Sequence, residues 1–397
     1  MAELLSIGDA RRLILERSPR LGAEAVSLEH AAGRVLAEPA LAKIDLPPFP
    51  SSAMDGYAVR SSDTPGRLPV VARIAAGRPA DRPLDAGEAM GIATGGVVPE
   101  GADAVVPVEA TIAHGDNIVE VPDGVSPGAH VRPRGGDIEA GEAVVGPGTR
   151  LGPSQVGALA AAGVPTVACV KRPRAAVVTT GTELRRPGDE LRPGEIYEAN
   201  GLILAAQVRS AGAEVDRLGS VEDEEAAHRA LFERALDNDV VITSGGVSVG
   251  PHDLVRRVLA DLGVDEVFWG VAVKPGKPIS FGVRGSTLVF GLPGNPVSSL
   301  VGFELFVRPA LEALSGIVEP GPRYEPGTLA HPVRLNPRRT ELARARSGTS
   351  DDGVVLTLVR GQESHMIANA ADADALVLLP AGDGELEAGT RVRYIRL

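Results

Sequence analysis

Three glycine-rich turns carry the residues of this sequence best suited to chemistry. They are SGGVSVG (residues 244–250), KPGKP (274–278) and GLPGNP (291–296), and each follows an apolar run. Successive backbone N–H groups in such a turn, at the end of a strand, can bind phosphate or another oxyanion. The chain has only four lysines against thirty-six arginines, and two of the four, Lys274 and Lys277, lie in KPGKP. The sequence therefore predicts an anion site to which these lysines supply compact positive charge.

Backbone and side-chain donors of SGGVSVG and GLPGNP are expected to contact this anion. Asn295 is a good helix cap and Pro296 suits the first helical position, so the helix that begins there would present free N–H groups. Either turn alone could be an ordinary tight loop, but two turns that flank KPGKP favour binding. The predicted contacts are Ser244, Gly245, Gly246, Ser248, Gly250, Gly294, Asn295 and Pro296.

Two carboxylates near these turns are candidate ligands for Mg²⁺, which commonly accompanies bound phosphate. Asp223 and Asp253 each follow the end of a predicted strand. Each could instead cap the helix that follows it, and capping does not exclude metal binding. Zinc is not expected, because the chain has one cysteine and its seven histidines include no H-x-x-x-H pair.

Alternating strands and helices between residues 175 and 314 are predicted to position these groups. This alternation predicts a doubly wound, mostly parallel sheet that is covered on both faces. Ligands bind outside the carboxyl ends of such strands, so the turns and carboxylates should collect at one edge of the sheet. The predicted strands are Ala175–Thr179, Glu214–Val221, Asp239–Thr243, Glu266–Val273 and Thr287–Phe290, and the predicted helices are Asn200–Ala211, Asp223–Asp237, Asp253–Leu262 and Val297–Leu314.

The segments before and after this α/β region have sequence patterns typical of short strands. Short apolar runs between residues 51 and 141, separated by Gly, Pro and Asp, predict a module of small antiparallel strands. Residues 321–397 return to short strands and predict a terminal β-barrel or sandwich. Helices are predicted at Ile7–Arg17, Ser27–Leu36 and Pro153–Ala162. The fold class is thus multidomain α/β plus β.

Composition narrows the function classes. A net charge of −12 argues against a nucleic-acid partner, which would require a basic surface. The longest apolar stretch, Val156–Val170, is short and interrupted by glycine and proline, so it predicts no membrane span. The start of the chain alternates charged and apolar residues and is not typical of a signal peptide. A soluble protein in the reducing cytoplasm is expected.

Seven motifs, taken in order, resemble those of the molybdopterin molybdenumtransferase (MoeA) family, whose metazoan relative is the C-terminal part of gephyrin. The resemblance covers nearly the whole chain. The motifs are LPPFPSSAMDGYAV (46–59), IATGGVVPEGADAVVPVE (92–109), RPRGGDIEAGE (132–142), TTGTEL (179–184) and the three glycine turns.

The resemblance implies an activity and its partners. Family members bind molybdate and adenylylated molybdopterin, cleave the pyrophosphate with a divalent cation such as Mg²⁺, and release AMP and molybdenum cofactor. It also implies a homodimer whose active cleft lies between the α/β domain of one subunit and the β-rich domain of the other. A separate molybdopterin adenylyltransferase must supply the activated pterin, and molybdoenzyme apoproteins or their chaperones are the expected recipients.

Domain bounds and site residues also follow from the resemblance. The domains are an elongated linker domain (23–41 and 142–172), a β-rich lid domain (42–141), a molybdopterin-binding α/β domain (3–22 and 173–318) and a C-terminal β-barrel domain (319–397). The catalytic positions carried over by motif are Asp55, Thr94, Asp137, Glu183 and Lys274, with Pro293 and Pro296 in the binding turn and Asp223 and Asp253 at the metal.

Two positions depart from the family pattern. Gly270 follows Phe268-Trp269 where a basic residue is common, and His252 precedes Asp253 where an acidic residue is common. Arg256 or Arg284 could supply the missing charge. Two alternatives therefore remain open, a non-catalytic molybdopterin-binding scaffold and a tungstate-handling variant.

Overall fold

The computed structural model describes residues 4–219, 225–245 and 254–397. These residues divide into two compact units. The first unit contains residues up to 24, residues 33–35 and residues from 170 onwards, and the second contains residues 25–32 and 36–169. The finer four-domain bounds remain a prediction.

A mostly parallel sheet forms the centre of the first unit, as predicted. Strand Val240–Ser244 is buried throughout, as expected for a strand covered on both faces. Alternate residues of its neighbour face opposite cores, Ala175 and Val177 on one side and Ala176 and Val178 on the other. The strand order is Glu214–Gly219, Arg174–Thr179, Val240–Ser244, Thr287–Leu292, Ser280–Arg284 and Asp265–Trp269, of which Ser280–Arg284 runs antiparallel to both of its neighbours.

The helices of this unit agree closely with prediction. The long helix predicted at Val297–Leu314 is Pro296–Gly302 and Arg308–Leu314, joined by a π-helical turn at Phe303–Val307. The remaining helices are Ile7–Leu15, Asn200–Ser210, Glu225–Ala235, Leu254–Asp261 and Ile367–Ala370.

One predicted strand of the sheet was wrong in its extent. The segment Glu266–Val273 is two strands, Asp265–Trp269 and Val273–Lys274. Gly270 ends the first with a φ of +93°, a left-handed conformation that favours glycine. The second strand leaves the central sheet and pairs in parallel with Thr340–Ser350.

The predicted helix Ser27–Leu36 was also wrong. Ala23–Ser27 is a strand that pairs with Thr166–Val170, and only one helical turn of the 3₁₀ type follows, at Leu28–His30. Gly33 then adopts a φ of +76°, which ends any helix. Strand pairing here outweighs the helical preference of the local sequence.

The second unit contains the predicted module of short strands, which pair antiparallel as predicted except that Gly66–Ile74 and Ala89–Ile92 run parallel. Its main sheet has the order Ala104–Pro107, Gly56–Val59, Ala89–Ile92, Gly66–Ile74, Ile118–Val121 and Ile112–Ala113. Short pairs join Ser51–Ser52 to Val131–Arg132 and Ala40–Leu41 to Ala143–Val145. The predicted helix near Pro153 is present as Pro153–Ala161, and single 3₁₀ turns lie at Ser61–Asp63 and Val108–Ala110.

The C-terminal residues form a closed barrel, so of the two predicted alternatives the barrel is confirmed and the sandwich is not. Its strands follow the order Thr340–Ser350, Gly353–Leu358, Glu325–Leu329, Arg391–Arg396 and Ala375–Leu379, and the last pairs again with the first. Val333–Arg334 pairs with Glu385–Leu386 beside it, and Leu184–Arg185 with Ile196–Tyr197 beside the central sheet. No helix within the described ranges is long and apolar enough to cross a membrane.

Candidate active site

The carboxyl ends of three parallel strands meet at one edge of the central sheet, as the sequence predicted. Ser244 is in register with Thr179 on one side and Leu292 on the other. Beyond this row, the N–H of Thr180 donates to the carbonyl of Ser244 at 3.3 Å and the N–H of Gly245 donates to the carbonyl of Leu292 at 3.2 Å. The ladder thus continues past the strands and brings the TTGTEL, SGGVSVG and GLPGNP motifs side by side.

A partly buried hydrogen-bond network joins Ser244, the first residue of SGGVSVG, to the GLPGNP turn. The Nδ2 of Asn200 donates to Ser244 Oγ at 2.8 Å and to the carbonyl of Gly294 at 2.7 Å. Ser299 Oγ lies 3.1 Å from Ser244 Oγ and donates to the carbonyl of Pro293 at 2.5 Å. The Ser244 hydroxyl is therefore engaged inside the protein and holds the turn in place, whereas the sequence suggested that it would donate to the anion.

Asn200 joins Ser244 to the GLPGNP turn, and the sequence did not reveal this contact. Asn200 opens the helix Asn200–Ser210, where Glu198 accepts a hydrogen bond from the N–H of Gly201 at 2.6 Å. Glu198 is buried and also pairs with Arg217 at 3.2 Å. The buried carboxylate of Glu198 has little freedom to move, so its bond to Gly201 fixes the start of the helix. The fixed helix start in turn sets the position of the Asn200 amide.

Glycine is required at Gly245 because of the close approach of the two strand ends. Its φ is +95°, and an added Cβ would lie 2.8 Å from the carbonyl oxygen of Thr180. Gly294 and Asn295 are exposed at the tip of the neighbouring turn, and Pro293 is buried beneath them. The backbone at this edge is therefore open to a ligand while its base is packed.

The start of the helix after GLPGNP offers fewer donors than the sequence suggested. Asn295 occupies the cap position and Pro296 the first helical position, as predicted, but the Asn295 side chain makes no capping bond. Its Nδ2 instead donates to Ser364 Oγ at 2.9 Å, and the N–H of Val297 donates to the carbonyl of Ser364 at 3.2 Å. Ser364, which the sequence analysis did not identify, thus ties the barrel to this turn.

The two lysines of KPGKP have different environments. The Nζ of Lys274 donates to a carboxylate oxygen of Glu341 at 3.1 Å, and the Glu341 side chain is buried. Strand Val273–Lys274 pairs with the strand that carries Glu341, so backbone pairing fixes this contact. Lys277 is exposed. Lys274 is therefore held in one position, while Lys277 presents its charge to solvent.

Two further positions from the sequence predictions are Glu183 and Gly270. Glu183 is exposed, follows the strand Arg174–Thr179, and its backbone carbonyl accepts a hydrogen bond from Ile196 at 2.9 Å. Gly270 adopts a φ of +93°, in the left-handed region that favours glycine, so any larger residue there would strain the backbone. Arg256 is bound to Glu266 by two hydrogen bonds of 3.0 and 2.7 Å, so its charge is already balanced.

Several predicted residues lie outside the described residues. These are the candidate metal ligands Asp223 and Asp253 and the turn residues Gly246, Ser248 and Gly250. Within the described ranges, no group of three or more His, Cys, Asp or Glu side chains could hold a metal ion.

The second unit brings Asp55 and Thr94 together. One carboxylate oxygen of Asp55 accepts hydrogen bonds from the N–H of Thr94 at 2.7 Å and from its hydroxyl at 3.0 Å. These bonds, the backbone bond first, lower the pKa of Asp55 because they stabilise the ionised form. The exposed carboxylate is thus a negative charge held in one position. An aspartate in a turn without such hydrogen bonds would not be held in this way.

Asp137 lies in a loop that is tied to the same region. Strand Ser51–Ser52 pairs with Val131–Arg132, and the N–H of Asp137 donates to the carbonyl of Leu46 at 2.9 Å. Asp137 itself is exposed. Nearby, Arg134 binds Asp45 at 2.5 Å, and the bonds from Ala140 and Arg134 lower the pKa of Asp45.

A cleft of about 390 Å³ opens beside Asp55. Tyr57 and Arg73 line it together with the backbone near Gly91, and Arg73 is exposed. Arg73 could not be identified from the sequence, because it lies in an ordinary strand, Gly66–Ile74. Arg73 and Asp55 therefore line the same cleft, and the described contacts include no ion pair between them.

Thr94→Val should raise the pKa of Asp55 toward its ordinary value without restoring it, because the N–H of Thr94, the larger cause of the lowering, remains. A lowered pKa means that the ionised carboxylate stabilises the fold above the unfolded-state pKa, and this contribution is lost as the pH falls through the folded-state pKa. Thr94→Val should move that loss to higher pH. Carboxyl-carbon NMR titration measures the shift, and Thr94→Ser, which keeps a hydroxyl, should titrate like the parent. An unchanged Asp55 titration in Thr94→Val would contradict the assignment.

Comparisons with known proteins cover the whole chain. Residues 5–163 match the MoeA N-terminal region (domain I and II), residues 176–313 match a probable molybdopterin binding domain, and residues 326–397 match the MoeA C-terminal region (domain IV). Molybdopterin molybdenumtransferase 2 of Mycobacterium tuberculosis is 37% identical over 98% of both chains, and the molybdopterin molybdenumtransferase of Haemophilus influenzae is 33% identical over 98% of both.

Solved structures agree with these relatives. A molybdopterin biosynthesis MoeA protein from Pyrococcus horikoshii is 33% identical, with a TM-score of 0.83 over 99% of both chains. A second structure of a MoeA protein from the same organism is 28% identical, with a TM-score of 0.86 over 100% of both. The fold described above is therefore shared along its full length.

Proposed function

The chain belongs to the MoeA family of molybdopterin molybdenumtransferases, and we propose that it inserts molybdenum from molybdate into adenylylated molybdopterin. The similarity to molybdenumtransferases extends over nearly the whole chain and supports a transferase activity. The observation that carries the finer proposal is the partly buried network that joins Ser244, Asn200 and the carbonyls of Pro293 and Gly294. It fixes Ser244 to the GLPGNP turn, whose Gly294 and Asn295 are exposed, at the sheet edge where phosphate is expected to bind.

The proposed reaction cleaves the pyrophosphate of the activated pterin. With water as nucleophile, its oxygen bonds to one phosphorus, the bond from that phosphorus to the bridging oxygen breaks, and the products are AMP and molybdopterin with its own phosphate. With molybdate as nucleophile, one of its oxygens bonds to the pterin phosphorus, AMP leaves with the bridging oxygen, and molybdate remains on the pterin phosphate. The turn residues hold the pterin phosphate, and Lys274 stabilises the negative charge that develops on the bridging and leaving oxygens. This role suits a lysine that Glu341 holds in place, since electrostatic catalysis depends on fixed charges.

Magnesium is proposed at Asp223 and Asp253, both beyond the described residues. Carboxylate ligands of this kind suit Mg²⁺, which keeps several of its waters and binds substrate phosphates. The divalent cation would neutralise charge on the pyrophosphate. Glu183, which follows the strand Arg174–Thr179, is proposed to supply a further carboxylate.

Asp55, Thr94 and Asp137 are proposed to act from the second subunit of a homodimer. The lowered pKa of Asp55 supports an ionised carboxylate in this role, because Thr94 holds it with two hydrogen bonds. A separate molybdopterin adenylyltransferase would supply the substrate. Molybdoenzyme apoproteins or their chaperones would receive the product.

AMP release from adenylylated molybdopterin, measured with Mg²⁺ in the presence and absence of molybdate, tests the proposal. Molybdate-dependent release is expected, and Asp55→Ala and Asp223→Ala should each reduce it strongly. Parental rates in both variants would refute the assigned site. Tight binding without release would favour a non-catalytic scaffold, and preferential turnover with tungstate in a competition assay would favour the tungstate variant.

A further inference from the structure

A basic cavity of about 410 Å³ lies in the first unit, and its lining includes Ala272 and Thr340 beside the paired strands that carry Lys274 and Glu341. The start of the helix Ile7–Leu15 forms one wall and the barrel strands form the other. None of the residues assigned above to catalysis or pterin binding lines it. The polar side chains in its lining are Ser6, Arg11, Tyr324, Arg338, Thr340 and Arg393.

The charge of this cavity is unbalanced. Arg11, Arg338 and Arg393 line it, and no carboxylate does. None of the three forms an ion pair of 4.0 Å or less with any residue in the described ranges, whereas the adjacent Arg12 pairs with Glu16 at 2.8 Å. Three guanidinium groups that share one cavity repel each other, and a bound anion would remove that repulsion.

Tyr324 organises two of these arginines. The guanidinium of Arg393 lies 5.1 Å from the centre of the Tyr324 ring, a cation–π contact that holds the charge at the cavity wall. Burial raises the pKa of Tyr324, although Arg11 and Arg393 act in the opposite direction. The phenol therefore keeps its proton at neutral pH and remains a hydrogen-bond donor.

The helix start adds to the positive potential. Ser6 caps the helix by accepting a hydrogen bond from the N–H of Asp9 at 3.0 Å, and Ile7 and Gly8 line the cavity. The first turn of a helix carries a partial positive charge. The Asp9 carboxylate does not line the cavity, but it accepts a hydrogen bond from the lining hydroxyl of Ser6 at 2.7 Å and offsets part of this potential, so the three arginines supply most of the positive charge.

We propose that this cavity binds a small anion that carries two or more phosphate charges. Planar guanidinium groups bind phosphate oxygens with paired hydrogen bonds, and the Tyr324 and Thr340 hydroxyls supply further donors. The volume exceeds that of a single water several-fold and lies in the range of small-ligand sites. Inorganic diphosphate and the phosphates of a nucleotide share this chemistry.

Isothermal titration of the full chain with inorganic diphosphate tests the proposal, at constant ionic strength and without Mg²⁺. Saturable binding is expected in the parent, and Arg338→Gln with Arg393→Gln should weaken it at least about tenfold, as expected for lost charge-assisted hydrogen bonds. Arg391→Gln is the matched control: Arg391 is exposed on the same strand and does not line the cavity. It should bind like the parent.

Other outcomes separate this site from the candidate active site and identify the anion. Equal affinities for the double variant and for Arg391→Gln would overturn the proposal, as would an absence of saturable binding. Binding that is lost in Lys277→Gln but kept in the double variant would place the anion at KPGKP and also overturn it. A parallel titration with AMP and ATP, each compared between the parent and the double variant, shows which phosphate source the cavity prefers.

Discussion

Gly56→Ala should lower the free energy of unfolding of the second unit by about 3 kcal/mol or more. A Cβ at this position would lie 2.0 Å from the carbonyl oxygen of Val106 and 2.8 Å from its carbonyl carbon. Both atoms are backbone of the neighbouring strand, and Gly56 pairs there with Pro107, so no side-chain rotation can relieve the clash. The two strands would have to separate.

The displacement should also reach the candidate site. The carbonyl of Asp55, next to Gly56, accepts a hydrogen bond from the N–H of Val108 at 3.1 Å. Separation of the strands would break that bond and move the Asp55 carboxylate away from Thr94. We therefore expect AMP release to fall together with stability.

Hydrogen exchange by mass spectrometry can localise the effect of Gly56→Ala. Exchange should accelerate in peptides from Gly56–Val59 and Ala104–Pro107 more than in peptides from Val240–Ser244, which belongs to the first unit. Gly157→Ala is the matched control, because Gly157 lies in the helix Pro153–Ala161 with nothing within 4 Å of the added Cβ. It should stabilise the same unit by roughly 0.5–1 kcal/mol. Similar effects of the two substitutions would contradict the steric argument.

Gly56 shows what a sequence conceals. A glycine beside an aspartate in SAMDGYA suggests a turn, yet Gly56 lies in a strand and its role is to let another backbone approach. By contrast, the central sheet was predictable because runs such as Ala175–Thr179 are apolar along their whole length and end at glycine turns. The local sequence pattern is enough to predict an element when the residues of that element alone indicate that it is buried.

The site divides in the same way. The glycine-rich turns could be predicted from the sequence, since glycine and proline mark each turn locally. Asn200, Glu341 and Ser364 were not visible, because each meets its partner across at least 44 residues of chain and is an unremarkable polar residue by itself. Only the fold brings such pairs together.

Lys274→Gln should reduce the rate of AMP release by about 10²–10³-fold, in line with the loss of one fixed donor in an electrostatic site. The expectation depends on the proposed function. Lys171→Gln is the charge-matched control, because Lys171 is one of the other lysines, is exposed and lies outside the candidate site. It should retain the parental rate, so equal rates for the two variants would refute the assignment of Lys274.

Glu341→Gln tests whether Glu341 acts by positioning Lys274. The variant keeps the lysine charge but weakens the contact at 3.1 Å, so a smaller loss of about tenfold is expected, mainly in kcat. Substitutions that act through one group are not additive. The double variant Lys274→Gln, Glu341→Gln should therefore be no slower than Lys274→Gln alone, because Glu341 has nothing left to position. Multiplied losses in the double variant would show that Glu341 contributes to the reaction or to stability by another route, and thermal unfolding of each variant distinguishes these two cases.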